Sequence, residues 1–153
     1  MLIGAVCAVA LVALLAALLV FVNRPKDPPS DWISSFTPPA GTSSASKILY
    51  YLHWTNENGE LKGQLQLSAV ANGAPQSLTA PATGLYNRDN HIIYVVITIN
   101  GQAGTLMGKI NDANDTLTLN QVGATSQASQ LVFHTGSAND YKQATQKLAP
   151  AKK

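Results

Sequence analysis

Few side chains in this chain are of types that do chemistry, and their spacing argues against an organised centre. His53, His91 and His134 fall in three separate segments, and nothing local draws them together as metal ligands. By alternation His53 lies opposite Tyr50, Leu52 and Trp54, and His134 opposite Leu131 and Phe133, which places both on outer faces. His91 shares a face with Ile93, Val95 and Ile97, but at the first position of its segment, near a rim.

The carboxylates read as turn chemistry. Glu57 and Glu60 stand at one hairpin tip, Asp112 and Asp115 at another, Asp89 in a loop and Asp140 at a helix start. Asp27 and Asp31 belong to a proline-rich tether. A barrel enzyme would aim a general acid and base into its cavity from strands, and none of these acids falls inside an expected strand. Asn111-Asp112-Ala113-Asn114-Asp115 is rich in oxygen but lacks the ligand spacing, the glycine and the closing bidentate glutamate of an EF-hand. Asn114-Asp115-Thr116 also matches a glycosylation sequon. The single cysteine, Cys7, lies in a hydrophobic run, so the remaining chain has no disulfide and no thiolate site. There is no nucleophile elbow, phosphate loop or zinc-protease helix. The expectation is a protein that is not an enzyme, with no catalytic residue, no metal and no cofactor.

Composition narrows the partners. The chain has 153 residues, a charged fraction of 12% and a formal net charge of +2. Its basic residues from Lys47 to Lys147 are scattered, which excludes a nucleic-acid footprint. Leu2 to Val22 contains no charge, Pro, Asn or Gln. As a helix rising ~1.5 Å per residue it crosses the ~30 Å core of a bilayer, so residues 1–23 are expected to be a single transmembrane anchor. The absence of a basic start and of a small-residue exit argues against a cleaved signal peptide. Arg24 and Lys26 follow the run and, by the positive-inside rule, favour a cytoplasmic domain. The uncharged Ser/Thr/Pro tether and the low-charge β-module favour the opposite side, and an extracytoplasmic domain is the expectation.

Residues 24–46 read as a linker, punctuated by Pro25, Pro28, Pro29, Pro38 and Pro39 and ending in Gly41-Thr42-Ser43-Ser44. Trp32, Ile33 and Phe36 break that pattern, either in the lipid headgroup region or docked on the domain. From Lys47 the hydrophobic period becomes two. Strands are expected over 48–54, 61–69, 91–99, 104–110, 116–122 and 130–134. The segment 76–87 is poorly determined, because Pro75 and Pro81 confine any strand there to an edge. The segment 91–99, nearly continuous in Ile and Val, is expected to be central and well buried. Asn58-Gly59, Asn72-Gly73 and Asn100-Gly101 are tight-turn signals. Ser137 with Asp140 forms a capping box, followed by a stripe of Tyr141, Ala144, Thr145 and Leu148 that stops at Pro150.

The fold expected is mainly β: a small antiparallel barrel or sandwich of seven strands over 47–149, with one C-terminal helix and a tail at 150–153. Trp32, Phe36, Tyr50 and Trp54 are the candidate interaction surface.

Gly104-Thr105-Leu106, Thr116-Leu117-Thr118-Leu119, Phe133-His134, Gly136-Ser137 and Asp140-Tyr141 together resemble a family of small membrane-anchored or secreted β-proteins of Gram-positive-type bacteria. The resemblance covers the last third of the chain and implies an extracytoplasmic module without implying a reaction. His53-Trp54-Thr55 through Gly63 is similar to the first hairpin of avidin-like barrels. Two functions are therefore expected in competition. One is a binding or structural module at the membrane, an accessory subunit of a larger complex; the other is a carrier of a small lipid or glycan. The first predicts a flat exposed apolar patch, the second an apolar pocket with a few convergent polar groups.

Overall fold

The structure is a computed structural model that describes residues 27–38, 45–122 and 130–148. The Leu2–Val22 run lies outside the described residues, and among those described no helix is long and apolar enough to cross a membrane.

Eight antiparallel strands close into an up-and-down barrel. In chain order they are β1 (Asp31–Phe36), β2 (Ala45–Glu57), β3 (Glu60–Ala71), β4 (Ala74–Asn87), β5 (Ile92–Ile99), β6 (Gln102–Ile110), β7 (Thr116–Gln121) and β8 (Gln130–Thr135), followed by a helix, α1 (Ala138–Leu148). Each strand pairs with its sequence neighbours, and β8 returns to β1 through Trp32–Thr135 and Ile33–His134. The barrel alternative is thus the right one, with one strand more than the sequence pattern suggests.

The extra strand corrects the linker boundary. Residues 31–36 form β1 and pair with β2 from Asp31–His53 to Phe36–Ile48. Trp32 is wholly buried and Ser34 nearly so inside the barrel, while Ile33 packs outward beneath α1. A strand covered on both faces shows no polar–apolar alternation, which is why its pattern resembles a tether.

β4 is also a full strand despite its prolines. Residues 74–81 pair only with β3, and pairing with β5 begins at Ala82. Pro75 and Pro81 therefore lie where one side of the strand is open, and a missing N–H facing that side breaks no ladder bond. β5 is buried on one face only: Ile93, Val95 and Ile97 point inward, whereas Tyr94 is 46% exposed. A closed barrel has no central strand covered on both sides.

The three Asn-Gly turns are two-residue hairpins. Asn58, Asn72 and Asn100 have φ of 55°, 54° and 51°, and the glycine after each is also positive, as the mirror-image turn requires. Elsewhere glycine serves close approach. A Cβ on Gly63 would lie 1.8 Å from the His53 carbonyl oxygen, and one on Gly108 would lie 1.7 Å from that of Thr118.

The hydrophobic core fills the barrel from the end at which residues 27–30 enter. Trp32, Leu52, Trp54, Leu61, Ile93, Ile110, Leu117 and Phe133 are all essentially inaccessible. A second cluster lies outside, where α1 covers β2 and β3: Leu49, Tyr51 and Tyr141 are buried, with Ile33, Ala144 and Leu148 packed around them. The capping box forms as the sequence implies. The Ser137 backbone N–H donates to Asp140 Oδ2 at 2.9 Å, and the Asp140 N–H donates to Ser137 Oγ at 3.2 Å. Those bonds to the Ser137 side chain and backbone hold the Asp140 carboxyl below its ordinary pKa.

Candidate functional site

The two ends of the barrel differ. At the end holding the β2–β3, β4–β5 and β6–β7 turns, the chain crosses the opening. Pro28 is buried there, and the Pro29 carbonyl accepts the indole N–H of Trp32 at 2.9 Å and that of Trp54 at 2.8 Å. The two indole rings lie 6.2 Å apart at 56°. Asp27 extends the plug outward, accepting from Asn56 and Arg88, while its carbonyl accepts from Asn114 Nδ2 at 2.9 Å. Each indole buries a large apolar ring and still satisfies its single donor, so neither tryptophan is left with an orphaned polar group. The buried Tyr86 hydroxyl, His91 Nδ1 and Asn114 Oδ1 at this end have no partner among the described residues.

At the opposite end the described residues leave a hollow, and residues 39–44 and 123–129 lie outside those described. A cavity of about 600 Å³ is lined there by Tyr50, Leu65, Leu67, Ile97, Ile99, Asn100, Gln102, Ala103, Gly104, Leu106 and Gln121. Its walls are mostly aliphatic side chains from β3, β5 and β6. Its polar lining residues, among those described, are Tyr50 from β2 and Asn100, Gln102 and Gln121. The Tyr50 ring meets that of the buried Phe133 edge-on at 6.3 Å between centroids. Burial pushes the Tyr50 hydroxyl above its ordinary pKa, so it stays a neutral donor and acceptor at physiological pH. The size falls within the ~300–1,000 Å³ of small-molecule pockets. Gly104 contributes by omission: a Cβ there would come no closer than 4.0 Å to any neighbour, so the space beside Ile97 is free.

The sequence-derived interaction residues divide accordingly. Trp32 and Trp54, at 0% and 1% exposure, are interior plug residues and not surface, because each indole N–H has a carbonyl partner inside the barrel. Phe36 is half-buried at the end of β1. Tyr50 alone of the four lines the cavity.

Among the described residues the remaining polar side chains are engaged in local hydrogen bonds and turns. Asp31, first residue of β1, faces outward and accepts from Tyr51, from Ser30 and from His53 Nδ1, the last at 2.9 Å. Burial works to raise the Asp31 carboxyl, but the hydrogen bonds from Ser30, Tyr51 and His53, with the His53 charge, outweigh it and leave its pKa lowered. Burial, with Asp31 beside it, pushes the Tyr51 hydroxyl up to about 12. Serine, histidine and aspartate meet here in the wrong order for nucleophilic catalysis. The serine is bonded to the carboxylate and not to the imidazole that would have to deprotonate it. His53 and His134 lie on the outer face, as alternation implies, and His91 sits in the β4–β5 turn with φ of 58°. Among the described residues no three His, Cys, Asp or Glu side chains gather at metal-binding distance. The Asn111 side chain is used by its own loop, accepting from the Asp115 and Thr116 N–H groups and donating to Asp115 Oδ1. The sequon residue Asn114 is tied to the Asp27 carbonyl, with its Oδ1 buried.

A second surface feature lies on the outer wall away from α1. Leu85, Tyr94 and Met107 are register partners across β4, β5 and β6 and are 60%, 46% and 43% exposed. No periodicity argument singled them out, because outward positions of a β-strand are expected to be polar.

No protein-family model matches the chain, and no curated protein is significantly similar to it.

Proposed function

We propose that the protein is a membrane-tethered binding module that holds a small, mainly apolar molecule in the open mouth of its barrel. Residues 2–22 supply the tether and the barrel stands on the extracytoplasmic side. One observation carries the binding reading. The barrel is plugged at one end by Pro29 and two tryptophans, yet ends at the other in a cavity of about 600 Å³ walled by Leu65, Leu67, Ile97, Ile99 and Leu106. A scaffold needing only rigidity gains from filling both ends, since each buried aliphatic side chain contributes roughly 1.5–3 kcal/mol. Leu67, Ile99 and Leu106 are only partly buried, which forgoes part of that stabilisation and keeps room for a ligand.

The test is a titration of the full chain in nanodiscs with 1-decanol, followed by methyl NMR. Methyl signals of Leu65, Leu67, Ile97, Ile99 and Leu106 should move, while those of Ile93, Ile110 and Leu117 at the plugged end stay fixed. Unmoved mouth methyls, or equal movement at both ends, would refute the reading.

The exposed Leu85–Tyr94–Met107 row favours a second reading, in which the outer wall docks on a protein partner as an accessory subunit. The two readings are compatible, since the row and the mouth occupy different surfaces. Replacing Tyr94 and Met107 with Ser should abolish recovery of a cross-linked partner from native membranes and leave decanol binding unchanged.

A further inference from the structure

The acids of the barrel are segregated by end. All eight carboxylates of the chain lie at or beside the plugged end: Asp27 in the plug, Asp31 at the start of β1, Glu57 and Glu60 around the β2–β3 turn, Asp89 in the β4–β5 turn, Asp112 and Asp115 in the β6–β7 turn, and Asp140 in the first turn of α1. Lys62, Arg88 and Lys109 accompany them, whereas Lys47, near the start of β2, is exposed toward the other end and is not among the residues that line the cavity. The other end is built differently. The described turns there, 72–73 and 100–101, contain no Asp, Glu, Lys or Arg. Among the described residues that line the mouth cavity none is charged, and the polar ones are Tyr50, Asn100, Gln102 and Gln121.

From this we infer that the mouth selects an uncharged amphipath: an apolar body with a neutral hydrogen-bonding head, such as an alcohol, ester or amide. The inference rests on the mouth being a ligand site, as proposed above, and adds the class of ligand. An ionised head group entering an aliphatic cavity sheds water and needs an opposite charge to replace it. The mouth supplies none. A carboxylate, sulfate or phosphate would find only neutral donors, and an ammonium only neutral acceptors. A cationic head is drawn instead toward the plugged end, where the acids are. Neutral heads meet no such penalty, since Asn100, Gln102 and Gln121 each present both a donor and an acceptor, and the Tyr50 hydroxyl does the same.

Three probes of equal chain length separate these cases: 1-decanol, decyl sulfate and decyltrimethylammonium, the last two with charges that protonation cannot remove. Each is titrated into the full chain in nanodiscs, with free concentration fixed by partition into protein-free nanodiscs, and read from the Ile97 and Ile99 methyls. Decanol should bind at least about tenfold more tightly than either ion. Tyr50→Phe should weaken decanol by about 2–10-fold, the range of one neutral hydrogen bond, and leave the ions unaffected. If either ion binds as well as decanol at the mouth methyls, the selection for a neutral head is refuted while the mouth remains a ligand site. If none of the three moves those methyls, the binding reading itself fails and this inference falls with it.

Discussion

Docking of α1 hangs on one buried pair of hydroxyls, and that pair yields a prediction with a definite sign pattern. Tyr141 is 8% exposed and Ser68, on β3 beneath it, is 7% exposed. The tyrosine hydroxyl donates to Ser68 Oγ at 2.8 Å, and its ring stacks on Tyr51 at 5.2 Å between centroids. Tyr141→Phe keeps the stack but leaves the serine hydroxyl without its donor, and Ser68→Ala leaves the tyrosine hydroxyl without its acceptor. Each should cost about 1–2 kcal/mol, the desolvation penalty of an orphaned buried polar group. Removing both hydroxyls leaves neither orphaned. The double variant should therefore cost about 1 kcal/mol less than the sum of the singles. Tyr141→Ala also removes the ring and should cost about 3–5 kcal/mol. Leu148 is only half-buried, so truncating it to Ala should cost about 1–2 kcal/mol, less than a core leucine. Urea unfolding of the full chain in mild detergent, followed by tryptophan fluorescence, measures all of these. Both tryptophans are buried within the barrel and report on its integrity. Additive single variants, or a silent Tyr141→Phe, would mean that the helix is held by apolar area alone.

Other parts of the account make separate predictions. Gly63→Ala should be among the most destabilising single substitutions, exceeding about 3 kcal/mol, because its Cβ would sit 1.8 Å from a backbone oxygen that cannot turn aside. Replacing either Trp32 or Trp54 with Phe leaves the Pro29 carbonyl one indole donor, whereas replacing both leaves it none. The double variant should thus lose more stability than the singles summed, by about 1 kcal/mol in the same urea assay. Asp31 has a lowered pKa in the folded barrel, so the stability it contributes is present above its unfolded value of about 3.9 and is lost as pH falls through the folded one. Unfolding midpoints measured from pH 7 to pH 2 should show a decline that Asp31→Asn makes shallower, and an unchanged slope would remove Asp31 from the acid response.

Much of the barrel was legible from residue types, and the parts that were not share a cause. The Asn-Gly turns and the Ser137–Asp140 cap are local, each set by a few adjacent residues, and both stand as the sequence implies. β1 hid because its contrast between faces is erased by the barrel on one side and α1 on the other, while flanking prolines imitate a linker. Trp32 and Trp54 suggested a surface because an indole is amphipathic, and the partner that permits their burial, the Pro29 carbonyl, is a backbone atom with no signature in sequence. The mouth was hidden for a different reason. It exists through what is missing at Gly104 and through the meeting of Tyr50, Leu67, Ile99 and Gln121 from four strands, which only the closed topology brings about. Segregation of the acids was present in the sequence throughout, but it became readable only when alternate turns were assigned to opposite ends.

The central claim is that the cavity at the open end is kept empty for a ligand, and Gly104 tests it most directly. Its backbone places no demand on glycine, a Cβ there would come no closer than 4.0 Å to a neighbour, and the residue lines the cavity. The decisive measurement is the dissociation constant of 1-decanol for the wild-type chain and for Gly104→Phe, each with its urea midpoint. The account predicts affinity reduced by at least about tenfold in Gly104→Phe, with stability equal to or above wild type because new apolar area is buried. Decanol binding that survives with the mouth filled would contradict it.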